Sequence, residues 1–246
     1  MRIFDREKEL AIPIWITASS SASTVQTKTV KLNDRHGEYI TGKEQYTGRT
    51  FQCSGTIPTD SASAVEKERS RLLSLLSGKD LIVYRDDDDT IFYRCRLTGQ
   101  IQVTYYNGEN LHKVFTISFT LKAFDPFGYG AKKVQTISAG IQTLTIENEG
   151  NHLSIPEIEI TGIDYVEGVL FQCGNSFLEV NKKINLPEAG KLTYKNGCLY
   201  LNEKDISYSL SDRSIITPLY FQAGSNQLKV KVHAGVLHLS YYGRYI

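Results

Sequence analysis

The chain has 246 residues, with 28 Lys plus Arg against 27 Asp plus Glu and a formal net charge of +1. That length allows one or two domains with a core large enough to need no disulfide or metal staple. The balanced charge argues against a general nucleic-acid binder, which needs clustered cations, and no apolar run reaches the roughly 18 residues of a membrane span. Fifteen Tyr and ten Phe against one Met and one Trp favour half-buried pleated surfaces. The charged start, residues 1–9, is followed by no signal-like apolar stretch. Cytosolic synthesis and four reduced cysteines are therefore expected.

Residues 25–32 alternate in their second half as a strand with one wet face does, and residues 50–57 form a second candidate strand. From 63 to 77 the period changes. Val65, Leu72, Leu75 and Leu76 share one helical face, with Glu66, Lys67, Arg69 and Arg71 mainly elsewhere. Ser63 with Glu66 reads as a capping box, and Gly78 sits where a left-handed C-terminal residue is wanted. Strand signals resume at 81–84 and 91–97, flanking the acidic run Asp86, Asp87, Asp88 and Asp89. Residues 101–105 and 114–122 follow, joined across Asn107-Gly108. In the last of these Phe115, Ile117, Phe119 and Leu121 alternate with Thr116, Ser118, Thr120 and Lys122, the clearest strand in the sequence.

The segment 123–130 breaks the pattern, because Pro126 cannot donate to a ladder and pushes its predecessor out of helical space. Beyond it no helical period is found. Short strands are joined by Gly174-Asn175, Asn196-Gly197 and Ala234-Gly235, and Asn-Gly is the strongest hairpin signal of the three. Even spacing of short strands suggests a sandwich or jelly roll. The reading is all-β with one α-helix at 63–77, in two domains: residues 1–130, bearing the helix, and 131–246, purely β.

Catalytic constellations are absent from the pattern. His36, His112, His152, His233 and His238 are scattered without zinc-ligand spacing. His233 and His238, five apart across a predicted turn, read as ordinary surface or half-buried residues. Cys53, Cys95, Cys173 and Cys198 include no CxxC pair, and three of them sit in apolar strand patterns, where a thiol acts as a small hydrophobe. The run 86–89 could hold a hard cation or be a solvated hairpin tip, and it lacks the alternating spacing of a calcium loop. No nucleotide-binding glycine motif and no GxSxG elbow occurs. The expectation is a non-enzyme with no metal and no cofactor. The helix face formed by Val65, Leu72, Leu75 and Leu76 either packs on its own sheet or meets a neighbouring subunit, which makes these four the candidate oligomer-interface residues.

Five segments resemble the distal tail protein family of siphophages. They are Tyr46-Thr47-Gly48-Arg49-Thr50-Phe51; residues 72–81 (LLSLLSGKDL) with Phe92-Tyr93-Arg94; residues 119–130 (FTLKAFDPFGYG); Asn148-Glu149-Gly150-Asn151 with residues 156–160; and residues 221–226 (FQAGSN). The resemblance implies an N-terminal β-sandwich or barrel-like domain related to tail-tube proteins and a C-terminal galectin-like sandwich. It also implies a homo-hexameric ring in the virion tail tip, whose pore passes DNA without reading its sequence. The partners implied are the tail tube protein, the tail-tip hub protein and, in many phages, receptor-binding proteins. Sugar-binding galectins use a Trp platform and a His-x-Asn-x-Arg strand. The only tryptophan is Trp15, and 131–246 lacks that motif, so the second domain reads as a docking scaffold. The alternatives are a carbohydrate-binding protein recognising host surface glycan and, more remotely, a glycan hydrolase with two carboxylates at set spacing.

Overall fold

A computed structural model describes residues 1–12, 17–21, 23–31, 38–40, 45–58, 61–85, 88–105, 114–162, 164–180, 182–186 and 190–246. Trp15, His36, His112, the Asn107-Gly108 turn, and Asp86 and Asp87 of the acidic run lie outside them. The chain divides into two compact units, Met1–Gly128 with Ile246, and Tyr129–Tyr245. Strand dominates both, as the composition and periodicity predict.

The first unit contains β1 (Arg2–Asp5), β2 (Lys8–Glu9), β3 (Thr17–Ser20), β4 (Val25–Gln26), β5 (Thr29–Lys31), β6 (Glu38–Ile40), β7 (Gln45–Tyr46) and β8 (Arg49–Pro58). Then come α1 (Ala62–Leu76), β9 (Leu81–Arg85), β10 (Asp88–Tyr105) and β11 (Val114–Ala123). The strand expected at 25–32 is divided between β4 and β5. One antiparallel ladder runs β3, β8, β11, β10, and another runs β10, β9, β1, β2. β10 serves both because it bends: its register against β11 shifts between Thr98 and Gln102, where Gly99 has φ 74. The two strands expected at 91–97 and 101–105 are thus a single strand with a bulge that takes up two extra residues relative to β11 and bends the strand. In β11 Phe115, Ile117, Phe119 and Leu121 are buried, as their alternation requires.

The cap of helix α1 lies two residues before the expected one. Ser61 is extended (φ −129, ψ 123), and its carbonyl accepts the N–H groups of Ala64 and Val65. Ser63 therefore lies inside the first turn, and Glu66 pairs with Arg69 at 2.8 Å instead of reaching back, so the expected capping box does not form. At the other end Ser77 N–H donates to Leu73 O and Gly78 takes φ 69, the left-handed residue anticipated there.

The second unit contains β12 (Gly128–Asn148), β13 (Glu157–Thr161), β14 (Tyr165–Val166), β15 (Val169–Cys173), β16 (Ser176–Val180) and β17 (Ile184–Asn185). It continues with β18 (Leu192–Lys195), β19 (Cys198–Leu201), β20 (Lys204–Asp205), α2 (Asp212–Ile216) and β21 (Gly224–Tyr245). The hairpin expected at Ala234-Gly235 does not form. β21 runs straight through, because its two halves have different partners: Leu228 to Lys231 pair with β15, and Val236 to Ser240 pair with β13. Gly235 (φ 105) marks the junction. One leaf is thus β21, β15, β16 and the other β21, β13, β18, β19, β20, and the buried side chains of both form one core, among them Phe171, Val230, Ile158 and Leu237. Helix α2 is an addition to the purely β expectation. Ser211 Oγ accepts from Ser214 N–H at its start, and Ser214 Oγ accepts Glu179 N–H, so the helix covers the outer edge of β16.

Candidate functional site

The four predicted interface residues face inward. Val65, Leu72 and Leu76 are at most 1% exposed; Leu72 and Leu76 join a core with Leu81, Phe119 and Leu121, and half-buried Leu75 packs against it. They are consumed within their own unit. What α1 turns outward is Leu73, 44% exposed, and two ion pairs, Glu66–Arg69 and Glu68–Arg71, each at 2.8 Å. Arg71 also donates to Ala11 O at 3.3 Å.

The groups that could do chemistry are dispersed. Cys53 and Cys95 are buried, and burial pushes both thiols up to about 12, so they stay neutral. Burial also raises Cys173, whose Sγ lies 3.6 Å from Asn226 Oδ1. His233 and His238 lie on one strand, not across a turn. His233 stacks on Tyr165 at 4.9 Å, and His238 Nδ1 lies 3.2 Å from Thr136 Oγ1. From the acidic run, Asp89 accepts from Arg2 at 2.9 Å. Among the described residues no three His, Cys, Asp or Glu side chains converge as a metal site, and no helix is long and apolar enough to cross a membrane.

Among the described residues an open cavity lies on each unit. The first, about 630 Å³, lies on the wet face of β8, β11 and β10 around the Gly99 bulge. Gln52, Ser54, Thr98, Gln100, Gln102 and Ser118 line it, and among the described lining residues the only titratable group is the neutral thiol of Cys53. Hydroxyls and amides can bind there, but nothing can move a proton near neutral pH. The second, about 730 Å³, lies on the outer face of β13, β18 and β19 and is lined by Glu157, Lys191, Thr193, Lys195, Tyr200 and Asn202 with Asn196 and Glu203. Lys191 pairs with Glu159 at 2.5 Å and Lys195 with Glu157 at 4.0 Å. The sequence reading missed this site, because its residues are spread over three strands and two turns. Asn196 (φ 52), Asn202 (φ 45) and Glu203 (φ 69) are all left-handed on its rim. For Glu203 that costs about 1–2 kcal/mol.

The segments that carry the family resemblance converge in two structural clusters. Gly48 approaches Ala123 so closely that a Cβ there would lie 2.3 Å from its carbonyl oxygen. Arg49 Nε and Ser23 Oγ both donate to Pro126 O, and the Tyr46 and Phe127 rings meet edge to face at 6.2 Å. The Arg49 guanidinium lies 5.2 Å from the centre of the Tyr93 ring, which in turn contacts Phe51. In the second unit Asn148 Nδ2 donates to His152 O, Phe221 O and Gln222 O, while its Oδ1 accepts Gly150 N–H. Asn226 Oδ1 accepts Gln222 N–H, and its Nδ2 donates to Gln222 O and Gly224 O. These residues hold the two corners of the fold together.

Residues 6–121 match the family model of the phage tail protein RIFT-related domain. No curated protein sequence matches the chain. Among solved structures, it is similar to the Dit protein of bacteriophage SPP1, described as a paradigm of the hub adsorption apparatus in phages infecting Gram-positive bacteria. The TM-score is 0.72 at 15% identity, over 100% of this chain and 99% of that one. A chain of the phage p2 baseplate aligns over 97% of this chain and 96% of its own, at 10% identity and TM-score 0.45. Residues 6–121 thus resemble the phage tail protein RIFT-related domain, and over its full length the chain has the all-β fold seen in the SPP1 Dit protein.

Proposed function

We propose that this protein is a structural ring component of a siphophage tail tip, a homo-hexamer that joins the tail tube to the adsorption apparatus and lets DNA pass through its pore. The carrying observation is the fold match to SPP1 Dit over 100% of this chain and 99% of that one. Burial keeps the Cys53 and Cys95 thiols neutral, and among the described residues no three His, Cys, Asp or Glu side chains converge as a metal site. On this reading residues 1–130 make the ring and residues 131–246, as a galectin-like sandwich, display partners. Those partners are the tail tube protein, the tail-tip hub protein and receptor-binding proteins. The protein is not an enzyme and is a virion component.

Helix α1 would meet a neighbour through Leu73 and its ion-paired outer face, with Val65, Leu72, Leu75 and Leu76 supporting it from beneath. A stable contact of this kind needs more than about 1,000 Å² of buried surface, and a rotation that closes prevents filaments. Light scattering on the purified chain should give 6 × 27.7 ≈ 166 kDa. Leu73→Glu should lower that mass without unfolding the chain. A monomer at high concentration overturns the ring.

A further inference from the structure

Asn196 and Gly197 form the two-residue loop between β18 and β19, closed by the facing pair Lys195 and Cys198. Both take positive φ, 52 and 81, as a tight hairpin loop demands. Asn196 is exposed, and a Cβ on Gly197 would meet nothing nearer than Pro218 at 3.6 Å. The other asparagines of the described residues are guarded. Asn148 and Asn226 are buried with their amides bonded to backbone, and Asn202 Oδ1 accepts Lys191 N–H at 2.9 Å. Asn175 is exposed, but Ser176 after it is fully buried and bonded to Cys173 O and Tyr220 O. Asn151 and Asn185 precede the bulky His152 and Leu186. Asn196 alone among them precedes a glycine, and its amide is in no hydrogen bond with a described residue.

We propose that Asn196 is a self-modification site, at which the backbone nitrogen of Gly197 displaces the side-chain amide. The Gly197 nitrogen attacks Asn196 Cγ. A C–N bond forms, the Cγ–Nδ2 bond breaks, and ammonia leaves carrying the Gly197 amide proton. The product is a cyclic imide joining positions 196 and 197. Water then opens the ring at either carbonyl. One opening leaves an aspartate at 196, and the other leaves an isoaspartate, in which the main chain runs through Cγ. Water enters and ammonia leaves, so the balance needs no oxidant, metal or second protein. Glycine suits position 197 because it has no Cβ to shield the attacking nitrogen.

The hairpin sets the rate. A left-handed residue has ψ near about +47°, which turns the next nitrogen away from its own side chain, so ring closure waits for the loop to open. β18 and β19 lie near the end of their leaf, with only the short β20 beyond, and such an edge opens far more often than the chain unfolds. Conversion then changes the surface in two ways. It places a carboxylate on the rim of the cavity of about 730 Å³, beside Lys195, whose Nζ lies 4.0 Å from Glu157. Isoaspartate also adds a backbone atom to a loop that must span Lys195 to Cys198 in two residues, so that end of the hairpin parts. Cys198, half-buried there, becomes accessible, whereas Cys173 on β15 stays buried.

The test incubates the full chain at mildly alkaline pH and maps its peptides by mass spectrometry, with electron-transfer fragmentation to resolve isoaspartate. The peptide holding position 196 should convert several-fold faster than those holding Asn175 and Asn202. Denaturant should speed that conversion by an order of magnitude. Asn196→Gly, which a two-residue hairpin loop tolerates, should abolish it and keep Cys198 labelling slow through the same incubation. In the converted fraction, separated by anion exchange, thiol labelling of Cys198 should run several-fold faster while Cys173 is unchanged. Conversion at 196 no faster than at Asn175 and Asn202 overturns the site. Equal rates with and without denaturant overturn the gating by the hairpin, and unchanged Cys198 labelling overturns its loosening. None of these readouts depends on oligomeric mass, so this proposal and the ring fail independently.

Discussion

Asn148 is 2% exposed and Asn226 is 5% exposed, and neither lines the two cavities described above. Each uses its whole amide to satisfy backbone groups of the segments 148–152 and 221–226. Removing such a side chain leaves several buried polar groups unpaired, at about 1–3 kcal/mol for each group. Asn226→Ala should therefore lower the stability of the second unit by about 2–4 kcal/mol in chemical denaturation, and Asn226→Asp should recover only the acceptor part. Cys53 and Cys95 make a second residue-scale prediction. Their folded thiols are raised from 9.0 to about 12 by burial, so the fold holds protons that the unfolded chain releases above pH 9. The stabilisation is complete below that value and fades as pH climbs towards 12, by up to about 1.4 kcal/mol per pH unit for each thiol. Unfolding measured from pH 8 to 11 should show this decline, and Cys53→Ala with Cys95→Ala should flatten it. Both cysteines read as buried hydrophobes from sequence, because their strand neighbours alternate around them.

At the scale of elements, local signals decided some outcomes and distant partners decided others. The Asn196-Gly197 hairpin is visible in sequence because both residues must take positive φ, and they do, at 52 and 81. Ala234-Gly235 offers a weaker version of that signal, and long-range pairing overrides it: β15 claims one half of β21 and β13 the other. β10 is similarly shared between β9 and β11. Whether a glycine makes a turn or a kink depends on which strand lies alongside, and that information is not local. Gly48 illustrates the same point in packing. Nothing in its neighbours demands glycine, but Ala123 O occupies the space of a Cβ. Gly48→Ala should force β8 and the 123–127 corner apart and cost about 1–3 kcal/mol, as overpacking does. A lowered midpoint with an unchanged denaturant slope would show it.

Across the whole molecule, two separate buried clusters stand out, one from Ile3 to Ala123 and one from Ile137 to Tyr241. Damage to one core should stay in its own unit. Leu72→Ala should cost the first unit about 2–5 kcal/mol, and hydrogen exchange read by mass spectrometry should show faster exchange in β8 to β11, with β13 to β16 unchanged. The sequence by itself determined the all-β character, a helix placed at 63–77 and the lack of a recognisable catalytic motif, because periodicity, turn chemistry and motif spacing are properties of neighbouring residues. Its resemblance to distal tail proteins was legible for a related reason, since the resembling segments are compact runs. Only the tertiary structure decided that the helix face of Val65, Leu72 and Leu76 is buried within its own unit, and that Tyr200, Glu159 and Lys191 share one surface. Those facts depend on strand order and register, which residues far apart in the chain set together.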